Sequence, residues 1–385
     1  MKFSILLPTR NRLELLLMAI ESVRSQDYAD WEIVISDNAS DTDVAAAVAG
    51  LGDERIRLRR FEQLVPVTDN WNAALELATG DYCIMLGDDD VLVPGSLTKV
   101  HRLLIEWESP DTVYAQAHQY AYPDVVPGHS APFVQTGYNA FLEGVSRPFR
   151  LEPRIARELA QAAMEFRILY GFNMQHFVFS RRLVDRLKPR GPFFQSPYPD
   201  YYAANALLLS GGSIVATPDP VCMIGISPKS FGFYYVNAKE SDGVAFLHNV
   251  VAADIAERLR GEIVPGTNMN DSWLCAMETV KRNFPEAGAR VAYARYRRLQ
   301  YQAILGSGDP GRHWLLFRSM RIWEIVAYGL VAVMYTAARL LPRALSARLR
   351  DAISHALFSR SPRFDPRMEE VAYRDILQAA RAHAR

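Results

Sequence analysis

The stretch YCIMLGDDD at residues 82–90 joins an apolar run to three consecutive aspartates. Two earlier apolar runs end in the same way, since FSILL at 3–7 leads into PTRNR and WEIVI at 31–35 leads into SDNASD. Apolar residues at helical spacing follow the first loop, and strands alternating with helices predict a mainly parallel sheet with right-handed crossovers. The carboxyl ends of parallel strands share one edge, so we expect the three polar loops to meet in one crevice.

Later parts of the chain carry weaker but readable patterns. They predict strands at 112–117, 175–180 and 213–217, helices at 152–168, 181–187 and 201–209, and loops at 123–137 and 225–232.

The composition is that of a globular protein with an uneven charge distribution. The chain has 385 residues, which predicts a main domain with a substantial appendage, and 49% of them are hydrophobic. The formal net charge is zero, yet residues 281–385 carry 19 Lys and Arg against 8 Asp and Glu. A basic segment of this kind suits an anionic membrane surface or a nucleic acid.

Cysteine usage and the N-terminus indicate a cytosolic location. Cys83, Cys222 and Cys275 are far apart in sequence and have no C-x-x-C spacing, so we expect buried thiols in a reducing compartment. The apolar run near the N-terminus ends at Pro8, which is too short for a signal peptide.

The three adjacent aspartates, Asp88, Asp89 and Asp90, are the first candidate for chemistry. Neighbouring carboxylates at a strand end repel one another unless a cation offsets them. Mg²⁺ and Mn²⁺ prefer oxygen ligands and commonly share substrate phosphates. The alternative is a solvated acidic turn, but the position opposite two other polar loops favours a metal site.

Four motifs together resemble family 2 glycosyltransferases, strongly over the first 100 residues and loosely to about 235. They are Pro8-Thr9-Arg10-Asn11-Arg12, Ser36-Asp37-Asn38-Ala39-Ser40-Asp41, Asn70-x-Asn72-x-Ala74 and Gly87-Asp88-Asp89-Asp90. The resemblance implies an α/β GT-A fold with helices flanking the sheet, a nucleoside-diphosphate sugar donor, Mn²⁺ or Mg²⁺, and inversion at the anomeric carbon. UDP is the commonest nucleotide in such donors and is our expectation here.

The resemblance also assigns roles to individual residues. Asp90 would be the direct metal ligand, with Asp88 beside it facing the ribose or a metal-bound water. Asp37 would accept a hydrogen bond from the base, although a turn-forming role is the alternative. The full donor-binding set implied is Thr9, Arg10, Arg12, Asp37, Asn38, Asn70, Asn72, Asp88 and Asp89. One departure is that Asp69 precedes Asn70 where the family often has an arginine, so a cationic contact to the donor is missing.

Asp200 is the candidate catalytic base. The family places a carboxylate at a loop-to-helix junction about 100 residues after the metal motif, commonly in a Glu-Asp pair. Here the matching place holds Pro199-Asp200, which leaves the partner of Asp200 unidentified. The alternative is an N-cap for the helix at 201–209, and the two roles are compatible.

We expect a catalytic domain at 1–235, with a nucleotide-sugar half at about 1–110 and an acceptor half at about 111–235. A helical connector at 236–310 and a basic amphipathic helical tail at 311–385 would follow. The uncharged run at 325–338 has 14 residues, short of the roughly 20 that span a bilayer.

Aromatic and arginine residues around this run favour an interfacial helix, so an anionic membrane surface is expected to contact 311–358 rather than a nucleic acid. The alternatives are a hairpin packed on the catalytic domain and a homo-oligomer interface. The expected location is cytoplasmic, peripheral at the inner face of the membrane, with a glycan or lipid-linked acceptor.

Two other functions stay open at this point. A nucleotidyltransferase also uses carboxylates and a metal, but it needs a glycine-rich phosphate loop after the first strand, and residues 8–12 contain no glycine. A non-catalytic nucleotide-sugar-binding scaffold of a polysaccharide assembly is the second alternative.

Overall fold

The computed structural model describes residues 1–126, 128–230, 233–234, 250–307, 310–326, 333, 342, 345 and 368–384. The predicted interfacial helix at 325–338 lies almost entirely outside these residues.

The first 90 residues form a parallel sheet, as predicted. Its strands are β1 (Phe3–Thr9), β2 (Trp31–Asp37), β3 (Ile56–Arg60) and β4 (Tyr82–Met85). The crossover helices are α1 (Leu13–Arg24), α2 (Val44–Ala49) and α3 (Val67–Leu77). The spatial order is β3-β2-β1-β4, with every neighbouring pair parallel. Because β1 lies between β2 and β4, the three polar loops emerge side by side at one edge.

The rest of the sheet is mostly antiparallel. Its strands are β5 (Val91–Leu92), β6 (Thr112–Ala121), β7 (Phe133–Gln135), β8 (Phe149–Leu151), β9 (Phe177–Ser180), β10 (Ile214–Ile226) and β11 (Glu369–Glu370). β9 is antiparallel to both β4 and β6, whereas β10 runs parallel to β6. β10 continues well beyond the predicted end at 217, and β7 lies within the predicted loop at 123–137.

Helices cover both faces of the sheet, so the predicted α/β class is confirmed. The remaining helices are α4 (Ser96–Glu106), α5 (Pro153–Met164), α6 (Arg181–Leu187), α7 (Pro199–Leu209), α8 (Ala253–Arg258), α9 (Asn268–Asn283), α10 (Tyr293–Ser307), α11 (Pro310–Ser319) and α12 (Ile376–Ala382). Alternation along β1 sends Ile5 and Leu7 into one core and Leu6 into the other. Cys83, Cys222 and Cys275 are free and buried, as expected.

The predicted connector at 236–310 contains the helices α8, α9 and α10 where it is described, and α9 packs against α7. Ile255, Leu274 and Tyr296 belong to the same apolar core as α5 and α7. The Trp273 ring stacks on Tyr201 of α7, with ring centroids 6.0 Å apart. These helices therefore extend the core of the catalytic domain.

The end of the chain returns to the sheet, which corrects the predicted tail at 311–385. β11 pairs antiparallel with β7. α12 buries Ile376, Ala379 and Ala380 against Val91 and Met223. Because this pairing joins residues more than 200 positions apart in sequence, local patterning did not indicate it. Among the described residues, no helix is long and apolar enough to cross a membrane.

Candidate active site

The loops after β1 and β4 meet as predicted. The Thr9 hydroxyl donates a 2.7 Å hydrogen bond to Oδ2 of Asp88. Nη1 of Arg12 lies 2.9 Å from Oδ1 of Asp88 and 3.3 Å from Oδ2 of Asp89. The backbone of Arg10 also hydrogen-bonds Asp88. The β1 loop therefore binds the aspartate triplet directly.

A second set of contacts reaches the triplet from the turn before β9 and from the end of β10. Asp90 accepts hydrogen bonds from the side-chain amide of Gln175 at 2.7 Å and from the backbone N–H of Gly225 at 2.7 Å. The Gly87 N–H also donates to Asp90, at 2.8 Å. The Ser227 hydroxyl donates to Oδ2 of Asp89 at 2.9 Å. These donors orient two of the three carboxylates.

Gly225 has a steric reason to be glycine. A Cβ atom at this position would lie 1.9 Å from the backbone oxygen of Asp89. No side chain fits in that space, so glycine allows β10 to approach the triplet closely enough for its N–H to reach Asp90.

Burial makes it unfavourable for the three aspartates of the triplet to be ionised together. Burial raises the pKa of Asp88 to about 6, opposed by the Arg12 guanidinium. Burial, together with the neighbouring charge of Asp89, raises the pKa of Asp90 to about 8. Among the described residues, the three carboxylates face the guanidinium of Arg12 alone, so the cluster favours uptake of further positive charge.

The donor chemistry of the triplet fits a hard divalent ion, because all its ligating atoms are carboxylate oxygens. No group of three or more His, Cys, Asp or Glu side chains in the described part of the chain is arranged to hold a metal. Asp88 and Asp90 would therefore hold such an ion only with further oxygens from water or a phosphate, which is the usual coordination of Mg²⁺.

Asp37 and Asn38 form a folded loop beside β1. The Asp37 side chain is fully buried and accepts from Nη1 of Arg60 at 3.1 Å and from the Ser40 N–H at 3.1 Å. The Asn38 N–H donates to the Thr9 carbonyl at 2.9 Å. The turn-forming role considered for Asp37 is therefore present, and its contact with a base stays a prediction.

Asn70 and Asn72 hold neighbouring segments together. The Ser36 hydroxyl donates to Oδ1 of Asn70 at 2.6 Å, which ties α3 to the end of β2. Asn72 exchanges two hydrogen bonds with the backbone of Phe194, at 2.9 and 3.0 Å. Asn70 thus supports the Asp37 loop, whereas the described contacts of Asn72 join it to none of the other predicted donor-binding residues.

Asp200 lies in the first turn of α7. The helix begins at Pro199 and Tyr198 occupies the N-cap, so Asp200 is not the cap considered from the sequence. Its Oδ1 accepts from the backbone N–H of Met174 at 2.9 Å. Burial raises the pKa of Asp200 to about 6. Its carboxylate is therefore poised to exchange a proton near neutral pH.

One short loop connects Asp200 to the triplet. Met174 binds Asp200, and the next residue, Gln175, binds Asp90. The sequence interpretation missed Gln175 because it read residues 175–180 as a strand. It missed Gly225 and Ser227 because it ended the last strand at 217, and the glycine within an apolar run was the available signal.

A sequence profile of glycosyl transferase family 2 matches residues 4–158. Residues 4–158 are a family 2 glycosyltransferase domain. The match includes the β1 loop, the Asp37 loop and the aspartate triplet, and it ends before Gln175 and Asp200.

Curated relatives resemble the same part of the chain. A Campylobacter jejuni GalNAc(5)-diNAcBac-PP-undecaprenol beta-1,3-glucosyltransferase is 36% identical over 100 residues, covering 25% of this chain and 32% of that protein. The Escherichia coli UDP-Glc:alpha-D-GlcNAc-diphosphoundecaprenol beta-1,3-glucosyltransferase WfgD is 31% identical over 94 residues, covering 24% and 37%. The chain thus spans about a third of the length of these relatives.

One solved structure is similar to this chain in fold. S. aureus TarS 1-349 in complex with UDP-GlcNAc superposes with a TM-score of 0.51 at 12% sequence identity, covering 92% of this chain and 87% of that chain. At this identity the likeness shows the fold alone.

Proposed function

We propose that this chain transfers a sugar from a nucleoside-diphosphate donor to a hydroxyl of a lipid-linked glycan, with inversion at the anomeric carbon. The observation that carries the proposal is the placement of two kinds of carboxylate around one loop. Residues 174–175 contact both the buried triplet, through Asp90, and Asp200 on α7. A donor site and a proton acceptor in the same crevice are what direct displacement requires.

In this proposal the donor lies along the carboxyl edge of β1, β2 and β4. Asp37 and Asn38 border the base, and Thr9, Arg10 and Arg12 border the ribose and diphosphate. Mn²⁺ or Mg²⁺ held by Asp88 and Asp90 would offset the charge of the leaving diphosphate. Arg12 already balances part of the triplet charge, at 2.9 Å from Asp88.

Asp200 would remove the proton of the acceptor hydroxyl as that oxygen attacks the anomeric carbon. The new carbon–oxygen bond forms while the bond to the diphosphate oxygen breaks, and the nucleoside diphosphate leaves with the electron pair. A carboxylate whose pKa burial has raised to about 6 is still ionised at pH 7 and is a stronger base than an exposed aspartate.

The relatives' names support the choice of donor and acceptor. The E. coli relative is described as using UDP-Glc, and both relatives act on diphosphoundecaprenol-linked sugars by their names. We therefore propose a UDP-sugar and a lipid-linked acceptor, with the chain peripheral at the cytoplasmic face of the membrane.

The test is a donor and acceptor panel on the full chain. UDP-, GDP- and dTDP-sugars would be screened by thermal shift with and without Mn²⁺, because a ligand that binds only the folded state raises the melting temperature. Donors that give a shift would then be assayed for transfer to polyprenyl-diphosphate-linked sugars.

We expect one UDP-sugar to give a Mn²⁺-dependent shift and a glycosylated lipid. Binding without transfer or hydrolysis of any donor would favour the scaffold. Release of pyrophosphate from a nucleoside triphosphate and a sugar phosphate would favour a nucleotidyltransferase.

A further inference from the structure

Residues 314–326 expose an unusual number of large apolar side chains. They are Trp314 at 58%, Leu315 at 50%, Phe317 at 57%, Ile322 at 84%, Trp323 at 55% and Val326 at 66% exposed. We call these six residues the 314–326 patch. Soluble proteins rarely leave so many large apolar side chains open to water unless the surface binds a partner or a membrane.

The opposite side of the same segment is fixed on the domain. Leu316 is 3% exposed and belongs to the main apolar core, and Met320 packs against that core. The segment is therefore amphipathic, with one side in the protein core and the patch facing outward.

A buried ion pair holds this segment in place. Glu324 is 1% exposed and accepts hydrogen bonds from Nε and Nη2 of Arg297 on α10, both at 2.8 Å. Nη2 of Arg297 also donates to the Ser319 carbonyl at 2.8 Å, and the Arg321 N–H donates to Glu324 at 2.7 Å. Because hydrogen bonds fix residues 319–324 at several points, the patch has a defined position on the surface of the domain.

The exposed charge beside the patch is positive. Arg318 and Arg321 are exposed, and the Arg318 guanidinium carbon lies 4.7 Å from the centroid of the Trp314 ring. Glu324 is the only carboxylate in residues 314–326, and its charge is turned inward and paired. Tryptophan and arginine around apolar side chains suit the interface of an anionic bilayer.

We infer that the 314–326 patch is the surface through which this chain docks on an anionic bilayer. The inference rests on the proposed function only for the idea that a lipid-linked acceptor brings the chain to a membrane. A second copy of the chain fits the patch less well than a bilayer does. A symmetric contact between two patches would bring their arginines together without an exposed carboxylate in either patch to pair with them.

The test is sedimentation of the full chain with vesicles of phosphatidylcholine alone and of phosphatidylcholine with phosphatidylglycerol. The double variant Phe317→Ser/Ile322→Ser is expected to lower the partition coefficient at least about tenfold, because two large apolar side chains no longer leave water. The matched control is Ile105→Ser/Leu169→Ser, which removes side chains 62% and 51% exposed elsewhere on the surface and should leave partitioning unchanged.

A charge variant tests the choice of lipid. Arg318→Gln/Arg321→Gln should weaken binding to the anionic vesicles by about fivefold per arginine and leave binding to phosphatidylcholine unchanged. Light scattering of each variant would report its oligomeric state. All four residues substituted in the two double variants are exposed, so circular dichroism should show unchanged folding.

Two results would overturn the inference. One is a Phe317→Ser/Ile322→Ser variant that sediments with vesicles as the unsubstituted chain does. The other is an oligomer that this variant dissociates while vesicle binding persists. Sedimentation with vesicles needs no sugar donor. A chain that binds vesicles but transfers no sugar would therefore contradict the proposed function without contradicting the docking surface.

Discussion

The side-chain amide of Gln175 lies 2.7 Å from the carboxylate of Asp90, and the residue before it binds Asp200. This pairing connects the part of the site that would hold the donor with the part that would activate the acceptor. A shift of one short loop would therefore displace both groups together.

Replacing Gln175 tests this connection. Gln175→Leu should raise the Mn²⁺ concentration needed for half of the donor-induced thermal shift by about tenfold, because partners that orient a metal ligand typically contribute that much. A titration of Mn²⁺ at saturating UDP-sugar measures it. Gln161→Leu is the control, since Gln161 lies on α5 and donates to Glu165 and to the Arg290 carbonyl, and it should leave the titration unchanged.

Removing the carboxylate of Asp200 should stop chemistry without stopping binding. We expect Asp200→Asn to lower kcat by about 10²–10⁴-fold, the usual contribution of a general base. The thermal shift with UDP-sugar and Mn²⁺ should stay as in the unsubstituted chain. Near-normal turnover of Asp200→Asn would remove this residue from the mechanism.

The pH profile provides an independent check on the same residue. Asp200 must be ionised to accept a proton, and burial raises its pKa to about 6. At saturating Mn²⁺, which would keep Asp88 and Asp90 ionised, the value of kcat/KM should therefore rise with pH up to about 6 and then level off. A profile that is flat between pH 5 and 7 would contradict the role of Asp200 as the base.

The stability of the metal-free chain should fall as pH rises. Burial and Asp89 raise the pKa of Asp90 to about 8 from the usual 3.8, so the folded chain holds this proton more tightly than the unfolded chain does. The resulting stability is complete below pH 3.8 and is lost as pH rises through 8. Melting temperatures measured from pH 4 to 8 should show this fall, and Asp90→Asn should make it smaller, because among the described carboxylates only Asp88 and Asp200, with pKa values raised to about 6, would still contribute to it.

Two comparisons complete that experiment. Asp185→Asn removes an exposed carboxylate on α6 and should leave the slope as it is. Mn²⁺ should raise the melting temperature of the unsubstituted chain most at pH 8, where the triplet is most fully ionised, and should do less for Asp90→Asn. A slope that Asp90→Asn leaves unaltered would contradict the electrostatic account of the triplet.

Adding one methyl group at Gly225 should disable the donor site. The new Cβ would lie 1.9 Å from the Asp89 backbone oxygen, so Gly225→Ala must push β10 away from the triplet. We expect the donor-induced thermal shift to disappear and the free energy of unfolding to fall by about 1–3 kcal/mol. Gly50→Ala is the control, because its Cβ meets an ordinary contact of 3.4 Å at the end of α2.

Breaking the buried ion pair should cost stability. Glu324→Gln leaves the Arg297 charge buried without a carboxylate, so we expect a loss of about 3 kcal/mol in urea unfolding. The exposed pair of Arg154 and Glu158, with side chains 70% and 56% exposed, offers the control. Glu158→Gln should change stability by less than about 0.5 kcal/mol. If the two substitutions had equal effects on stability, the ion pair of Arg297 and Glu324 would not be what fixes α11 on the domain.

The sequence predicted well that the polar loops after β1 and β4 meet, because this part of the site is built locally. Each of β1, β2 and β4 ends in its polar loop within a few residues, and parallel pairing places these ends at one edge without further information. Thr9, Arg12 and Asp88 therefore met as expected. The family resemblance also placed Asp200, a carboxylate that the fold brings to the same loop as the triplet.

The other half depends on contacts between distant parts of the chain. Gln175 and Gly225 reach Asp90 from 85 and 135 residues away, and no local pattern signals those contacts. The burial of Glu324 could not be predicted from the sequence for a different reason. Glu324 borders the uncharged run at 325–338, where a charged side chain would ordinarily face solvent, but its ion pair with Arg297 buries it.

The packing of α12 has a consequence for how the site assembles during synthesis. Ile376, Ala379 and Ala380 contact Val91, the residue that follows the aspartate triplet. Domains generally begin to fold from the N-terminus as the chain is made. Here the strands next to the triplet emerge first. The helix α12, which packs against Val91, is missing until residues 376–382 have left the ribosome. A nascent chain would thus gain a fully supported aspartate triplet only after the segment that contains the 314–326 patch has already emerged.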